Sequence, residues 1–438
     1  MKAIYDTPLP DGWSEEPLAK VVATRRGYTW EKADEADRAD TDTVPVIRIP
    51  NVQDTLDLTD LIHLRNVPQG AIEKAAVTKD WLLFVGSNGT QDRIGDSVLI
   101  EEDRPMVFAS FLMGIQPKDQ GELRSDFFAH WMRLHLVHEI FSKTSQQTTG
   151  LANFSWGAVK KLLVRFPANV DEQRRIAAAL KLADDAIQKA RAELEATREL
   201  KRSLMNSMFV MGIPGRHAEF QQTKIGPIPR GWTVRTIRSV LADKPDSGTS
   251  PLSRPDPPGT PILNVSCIKD GVCSPADVTY VDVSADEIER YRTQAGDFFV
   301  LRGNGNRDYV GTGGLLSQTP EVDTIYSDKL IRLRFNADEA ADRFVPYLWQ
   351  SRAFLTRLQS KAESGSGLWM MSKRDICRER FACPPIEEQK EIVALLDSTE
   401  EQLNAQAKKV KALGELKRSL LQNLLTGKIR ISEEAIHA

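Results

Sequence analysis

The chain has 438 residues, 41% hydrophobic and 27% charged, which is room for two or three domains with real cores and ordinary for a water-soluble globular protein. Its 58 Lys and Arg stand against 61 Asp and Glu, a net charge of −3, so the total gives no sign of nucleic acid and the distribution of charge matters more than the sum. No apolar run approaches a membrane span, the opening Met1-Lys2-Ala3-Ile4-Tyr5-Asp6 is not a signal peptide, and four cysteines without Cys-x-x-Cys spacing or nearby histidines argue against zinc and for reduced thiols in a cytoplasmic protein.

Residues 1–165 read as a first globular segment. It opens Pro8-Leu9-Pro10-Asp11-Gly12-Trp13, an extended entry whose tryptophan reads as a packing anchor. An acidic run follows at 31–42, then two short β-branched or apolar strands, Val44-Pro45-Val46-Ile47-Arg48-Ile49 and Trp81-Leu82-Leu83-Phe84-Val85. The second strand ends in a glycine-rich loop, Gly86-Ser87-Asn88-Gly89-Thr90-Gln91-Asp92-Arg93. A helical pattern at 126–141 and a second polar loop at 142–150 complete the segment.

Residues 166–211 read as one long helix. Acidic Asp171 and Glu172 lead it, where the positive end of the dipole favours them, and no proline interrupts it. Ile176, Leu180, Ile187, Leu194 and Leu204 recur in steps of three and four, a heptad seam. At 1.5 Å per residue such a helix is roughly 55–60 Å long. Met211-Gly212-Ile213-Pro214-Gly215 stops it, and residues 212–226 read as an exposed linker.

From there the pattern repeats. Residues 227–383 open Pro227-Ile228-Pro229-Arg230-Gly231-Trp232, carry the strands Thr260-Pro261-Ile262-Leu263-Asn264-Val265 and Phe298-Phe299-Val300-Leu301, and continue into Arg302-Gly303-Asn304-Gly305-Asn306-Arg307-Asp308-Tyr309. A helical pattern at 342–361 and a polar loop at 360–367 follow. Residues 384–428 read as a second long helix, with Ile392, Leu396, Leu403, Val410 and Leu420 along its seam, and 429–438 as a tail. Glu172-Gln173 and Glu388-Gln389 lie 216 positions apart, and so do Glu199-Leu200-Lys201-Arg202-Ser203-Leu204 and Glu415-Leu416-Lys417-Arg418-Ser419-Leu420. The chain is a tandem duplication.

The expected fold is α+β: two duplicated globular domains separated by two long helices that pair as an antiparallel coiled coil, with pseudo-two-fold symmetry. Polar Thr197, Lys201, Gln406 and Lys417 interrupt the seam, where they weaken pairing and serve to fix register. The seven lysines and arginines at 408–430 against a single Glu415 fit a surface that shares DNA with a more basic partner, and equally a solvated helix face.

For the glycine-rich loops two readings stand. Neither carries the Gly-Lys-Ser/Thr of a phosphate loop, and tight hairpins need glycine and asparagine anyway. Yet Asn, Gln and Arg on a loop are the side chains that read adenine and guanine edges, which singles out Asn88, Gln91, Arg93, Arg302, Asn304, Asn306 and Arg307 as candidate DNA contacts. Glu172, Gln173, Glu388 and Gln389 are assigned first to helix starts and second to a partner interface. Asp256-Pro257-Pro258-Gly259 and Cys383-Pro384-Pro385-Ile386 lack the aromatic residue of a methyltransferase motif, and no Walker loop, nuclease carboxylate pair or Ser-His or Cys-His constellation stands out. No catalytic residue, metal ligand or cofactor site is read in the chain.

Taken in order, Phe166-Pro167 through Ile176, Pro384-Pro385 through Ile392, the Gly296-Asp297-Phe298-Phe299-Val300 strand and the closing Leu424-Leu425-Thr426-Gly427-Lys428-Ile429 resemble the specificity subunit of type I restriction-modification systems over essentially the whole chain. Ala168-Asn169 departs from that family's usual Pro-Pro. The resemblance implies that each globular segment is a target recognition domain reading one half of a bipartite site in double-stranded DNA. It implies helices that set the spacer and dock two adenine-N6 methyltransferase subunits, a translocating nuclease subunit that can join, and no catalysis by the chain itself. Two alternatives stay open: the specificity subunit of a type IIB-like enzyme, and a coiled-coil scaffold joining two proteins without DNA.

Overall fold

The computed structural model describes residues 5, 7–36, 40, 42–144, 146–148, 151–365 and 367–431. Parts of the acidic run (37–39 and 41), of the first polar loop (145, 149 and 150), Ser366 of the second and residues 432–438 of the tail lie outside them. The chain divides into two compact units, residues 1–191 with 408–438, and residues 192–407. Each unit therefore takes part of both long helices.

In the first unit, strands Leu82–Val85 and Leu112–Pro117 pair antiparallel and are flanked by Val22–Arg26 and Ser97–Leu99. Every residue of Leu82–Val85 is buried, so the strand reads as a continuous apolar run and not as an alternation. A five-stranded sheet lies beside it, in which Val44–Ile47 runs parallel to Arg104–Phe108. Helix α1 (Ser125–Met132) covers the first sheet with Phe127, Phe128 and Trp131. The helical pattern expected at 126–141 is broken at Arg133 and Leu134, and the next helix begins at His135. The entry strand Trp13–Pro17 pairs with Leu163–Pro167, so both ends of the domain meet where the long helix α2 (Val170–Met211) departs.

The second unit repeats this plan. Phe298–Leu301, fully buried, pairs with Leu330–Leu333 and Gly313–Leu315 in a six-stranded sheet. Helix α3 (Phe344–Gln350) stands where α1 stands in the first unit, and Ser351 ends it, its Oγ donating to the Leu348 carbonyl at 2.7 Å. Thr233–Thr236 pairs with Arg380–Cys383 at the departure of α4 (Ile386–Leu424). The segment expected to be a plain linker carries strand Phe220–Thr223, hairpinned to Gly226–Pro229. Thr223 Oγ1 accepts from the Ile225 amide and donates to the Gly226 carbonyl, which closes that turn.

The two long helices run antiparallel. In the first unit Ile176 and Leu180 of α2 share a core with Leu421, Leu424 and Leu425 of α4. In the second, Met205, Met208 and Phe209 share one with Ile392 and Leu396. Ile187 and Leu194 are buried along the seam, while Leu204, Leu403, Val410 and Leu420 are half-buried. Seam threonines Thr197 and Thr399 satisfy themselves on the carbonyls one turn back, of Glu193 and Leu395, each at 2.9 Å. The two seam lysines each find a carboxylate: Lys201 pairs with Glu400, and Lys417 with Asp184. Among the described residues no helix is long and apolar enough to cross a membrane.

These pairs are only partly open to solvent, with Lys201 15% and Glu400 33% exposed, so breaking one leaves a poorly hydrated charge. We expect Lys201→Glu to cost roughly 1–2 kcal/mol and Lys201→Glu with Glu400→Lys to recover most of it, read from thermal melts of the three proteins. A second expectation concerns His130, which lies buried on α1 near Arg133, Asp184 and Lys417. Burial pushes its imidazole down to about 4, and Arg133 adds to the effect. The unfolded chain takes up this proton near pH 6.5 and the folded one only near 4, so stability present above pH 6.5 is lost as pH falls through that window. The loss is on the order of 3 kcal/mol. Melting temperature followed from pH 7 to 4 should fall more steeply for the wild type than for His130→Gln.

Candidate nucleic-acid interface

The glycine-rich loops are not free turns. In the first unit, β1 (Ser87–Asn88) leaves the buried strand Leu82–Val85 and pairs antiparallel with β3 (Leu151–Asn153), which pairs in turn with β2 (Gln146–Thr148). In the second, β4 (Gly303–Asn304) pairs with β6 (Leu368–Met370), and β6 with β5 (Glu363–Gly365). The glycine-rich loop and the second polar loop, read separately in the sequence, thus form one three-stranded sheet in each unit. Each ends in a single 3-10 turn, Gln91–Arg93 or Arg307–Tyr309.

The seven candidate contacts are not equivalent. Asn88 donates to Thr90, to its carbonyl at 3.2 Å and its hydroxyl at 3.0 Å. Gln91 donates to the Ser142 carbonyl at 3.0 Å, and Ser142 Oγ returns a bond to the Gln91 carbonyl at 2.9 Å. Arg93 is held by Asp96 at 3.0 Å and by the Val52 carbonyl at 2.7 Å. These residues tie the loop to the domain, so in the free protein Gln91 and Arg93 are committed internally. In the second unit, Asn304 and Asn306 accept from the amides of Asn306 and Asp308 at 2.9 and 3.0 Å, local turns that shape the loop. The Arg302 guanidinium has no hydrogen-bond or ion-pair partner among the described residues, and exposed Arg307 stacks its guanidinium 5.0 Å from the Trp369 ring.

The helix starts show a different chemistry. Glu172, Gln173, Glu388 and Gln389 are all buried. Gln173 donates to the carbonyls of Glu122 and Pro167 at 2.7 and 2.8 Å and accepts from the Arg124 amide at 2.8 Å. Gln389 donates to the Pro384 carbonyl and accepts from the Ala341 amide, both at 2.9 Å. Each glutamine fastens its helix to the backbone just ahead of α1 or α3. Each glutamate is clasped by the segment that follows the other helix: Arg430 bonds Glu172, with Nε at 2.9 Å, while His217 Nε2 lies 2.7 Å and Trp232 Nε1 2.9 Å from Glu388. Trp13, the counterpart of Trp232, has its buried indole nitrogen without a partner among the described residues. These interior roles leave little side-chain surface on the four residues. Among the described residues no cluster of His, Cys, Asp and Glu is arranged to hold a metal ion.

The model of the type I restriction modification DNA specificity domain matches residues 10–196. The EcoKI type I restriction enzyme specificity subunit of Escherichia coli K12 is 25% identical over 412 residues, covering 90% of this chain and 85% of its own. Residues 10–196 thus match a type I specificity domain, and the chain as a whole resembles the type I specificity subunits. Two solved structures share the fold of this chain. A chain of a type I restriction-modification system superposes with a TM-score of 0.58 at 16% identity, covering 97% of this chain and 100% of its own. The type I S subunit from M. genitalium superposes at 0.55 with 13% identity, covering 96% and 98%.

Removing either glutamine amide leaves one buried backbone amide and at least one carbonyl without their partners. Gln173→Ala and Gln389→Ala should each destabilise their own unit by about 2–3 kcal/mol. Hydrogen exchange followed by mass spectrometry would see protection fall around 120–130 for the first variant and around 338–348 for the second.

Proposed function

We propose that this chain is the DNA-specificity subunit of a type I restriction-modification complex, each unit reading one half of a split target. One observation carries the reading. The duplication preserves backbone and core but not the side chains on the two three-stranded sheets. Strand register makes Trp369 the counterpart of Ala152 and Met370 the counterpart of Asn153. Two readers of one design with different faces suit two different half-sites. Phosphate contacts would place each domain and base-edge contacts would discriminate, at roughly 1–3 kcal/mol per well-made bidentate pair.

Catalysis belongs, on this reading, to partners that the subunit positions: two adenine-N6 methyltransferase subunits, and a nuclease subunit where the system cleaves. The helices offer the docking surface. Leu200 and Leu416, equivalent residues of the repeated Glu-Leu-Lys-Arg-Ser-Leu motif, are 52% and 53% exposed. Leucines held in water at two repeat-related places suit two copies of one partner. The paired helices then set the number of unread bases between the half-sites.

The experiment is an adenine-methylation map of cells carrying this chain and its methyltransferase, compared with cells lacking the chain. A split motif of two short halves around a fixed gap should appear and vanish with the chain. Unchanged methylation beside an active methyltransferase would sink the proposal in favour of a scaffold. Leu200→Glu with Leu416→Glu should cut co-purification of the methyltransferase at least tenfold while leaving the melting temperature within a few degrees.

A further inference from the structure

The hairpin β5–β6 in the second unit is unlike its counterpart. Leu368 and Met370 are two residues apart on one strand and so share a face, and they are 49% and 37% exposed. Met370 lies across β4 at Gly303, where an added Cβ would meet its Sδ at 2.3 Å. Glycine there leaves room for the methionine, and Glu363, the register partner of Met370 on β5, borders the two apolar side chains. On the other face Trp369 carries the Arg307 guanidinium. In the first unit the corresponding positions are Ala152, fully buried, and Asn153, whose Oδ1 accepts from Ser87 Oγ at 2.5 Å.

We infer that β5–β6 is a major-groove reading ribbon, with Leu368 and Met370 packing on thymine methyl groups of the half-site assigned to this unit. The inference rests on the proposed function and adds the residues and the chemical group read. A two-stranded ribbon fits the major groove, and thymine is the base that presents an apolar methyl there. Charge favours nucleic acid as the occupant: Arg302 and Arg307 flank the ribbon with guanidiniums that no carboxylate neutralises among the described residues. The hydrogen bonds of Asn304 and Asn306 stay within the loop and hold its shape. A side chain packed on a methyl group excludes water from it, worth about a 3- to 10-fold change in affinity per methyl.

The test uses the full chain with its methyltransferase and target duplexes in which single thymines are replaced by deoxyuridine, which lacks only the methyl. Replacement at one or two positions of one half-site should weaken wild-type binding about 3- to 10-fold. Leu368→Ala and Met370→Ala, singly and together, should abolish that sensitivity, relax the motif in the same half and leave the other half unchanged. Both side chains are substantially exposed, and melting curves would establish that the variants fold. Deoxyuridine that binds as well as thymine throughout the split motif would overturn the ribbon while leaving the specificity role intact. So would loss of methyltransferase capture by the variants with DNA affinity unchanged, which would make the hairpin a protein-docking element. Absence of any split motif in the wild type would instead overturn the reading on which the inference rests.

Discussion

A lysine in the seam of a helix pair has to meet a carboxylate, and that requirement organises this molecule. Lys201 and Lys417 are repeat-equivalent, as are Asp184 and Glu400, and the residue numbers of each ion pair, Lys201 with Glu400 and Lys417 with Asp184, add to 601. That is the condition for two pairs to obey one antiparallel register. A slide of one heptad would place Val393 or Ala407 opposite Lys201, and Ala177 or Arg191 opposite Lys417. Glu400 would then face Leu194 or Met208, and Asp184 would face Val410 or Leu424. All four charges lose their partners together, so neighbouring registers are penalised far more than an all-leucine seam would penalise them. The cores agree, because Ile176 with Leu425, Leu180 with Leu421, Met205 with Leu396 and Phe209 with Ile392 satisfy the same sum.

Fixed helices are useful only if each globular domain is fixed to them. Gln173 and Gln389 do this at the helix starts, by bonding backbone that leads directly into α1 and α3. Helix start, domain backbone and opposing helix end meet at one buried point in each unit. The clasp on the glutamate differs between units, an arginine in one and a histidine with a tryptophan in the other. What the duplication keeps is thus a buried carboxylate with a donor supplied by the distant segment, while the donor's identity drifts.

Much of this was legible in the sequence. The 216-residue offset exposes the duplication, the heptads expose the long helices, and the buried runs at 82–85 and 298–301 mark central strands. The seam lysines show in the sequence as exceptions, and their partners follow once antiparallel pairing is assumed. The three-stranded sheets were not legible. Strands of two or three residues carry no periodicity, and the pairing that joins the two loops of each unit spans more than 60 positions, as in Ser87 with Asn153 and Gly303 with Met370. The helix breaks at 133–134 and at Ser351 were hidden because apolar spacing carries through them. That Gln91 and Arg93 also bond the carbonyls of Ser142 and Val52 in the free protein was hidden, because those partners are distant backbone groups that a motif cannot reveal.

The contrast between invariant frame and variable face is itself a physical argument. A core strand such as Leu82–Val85 or Phe298–Leu301 tolerates little change, since lost volume inside a packed sheet costs several kcal/mol. An exposed position such as Met370 carries no such penalty, so it can stand where Asn153 stands without moving the frame. Substitution is therefore cheapest at the places where it changes what the surface contacts. With each domain pinned to its helix start, such a change leaves the frame of its own unit in place.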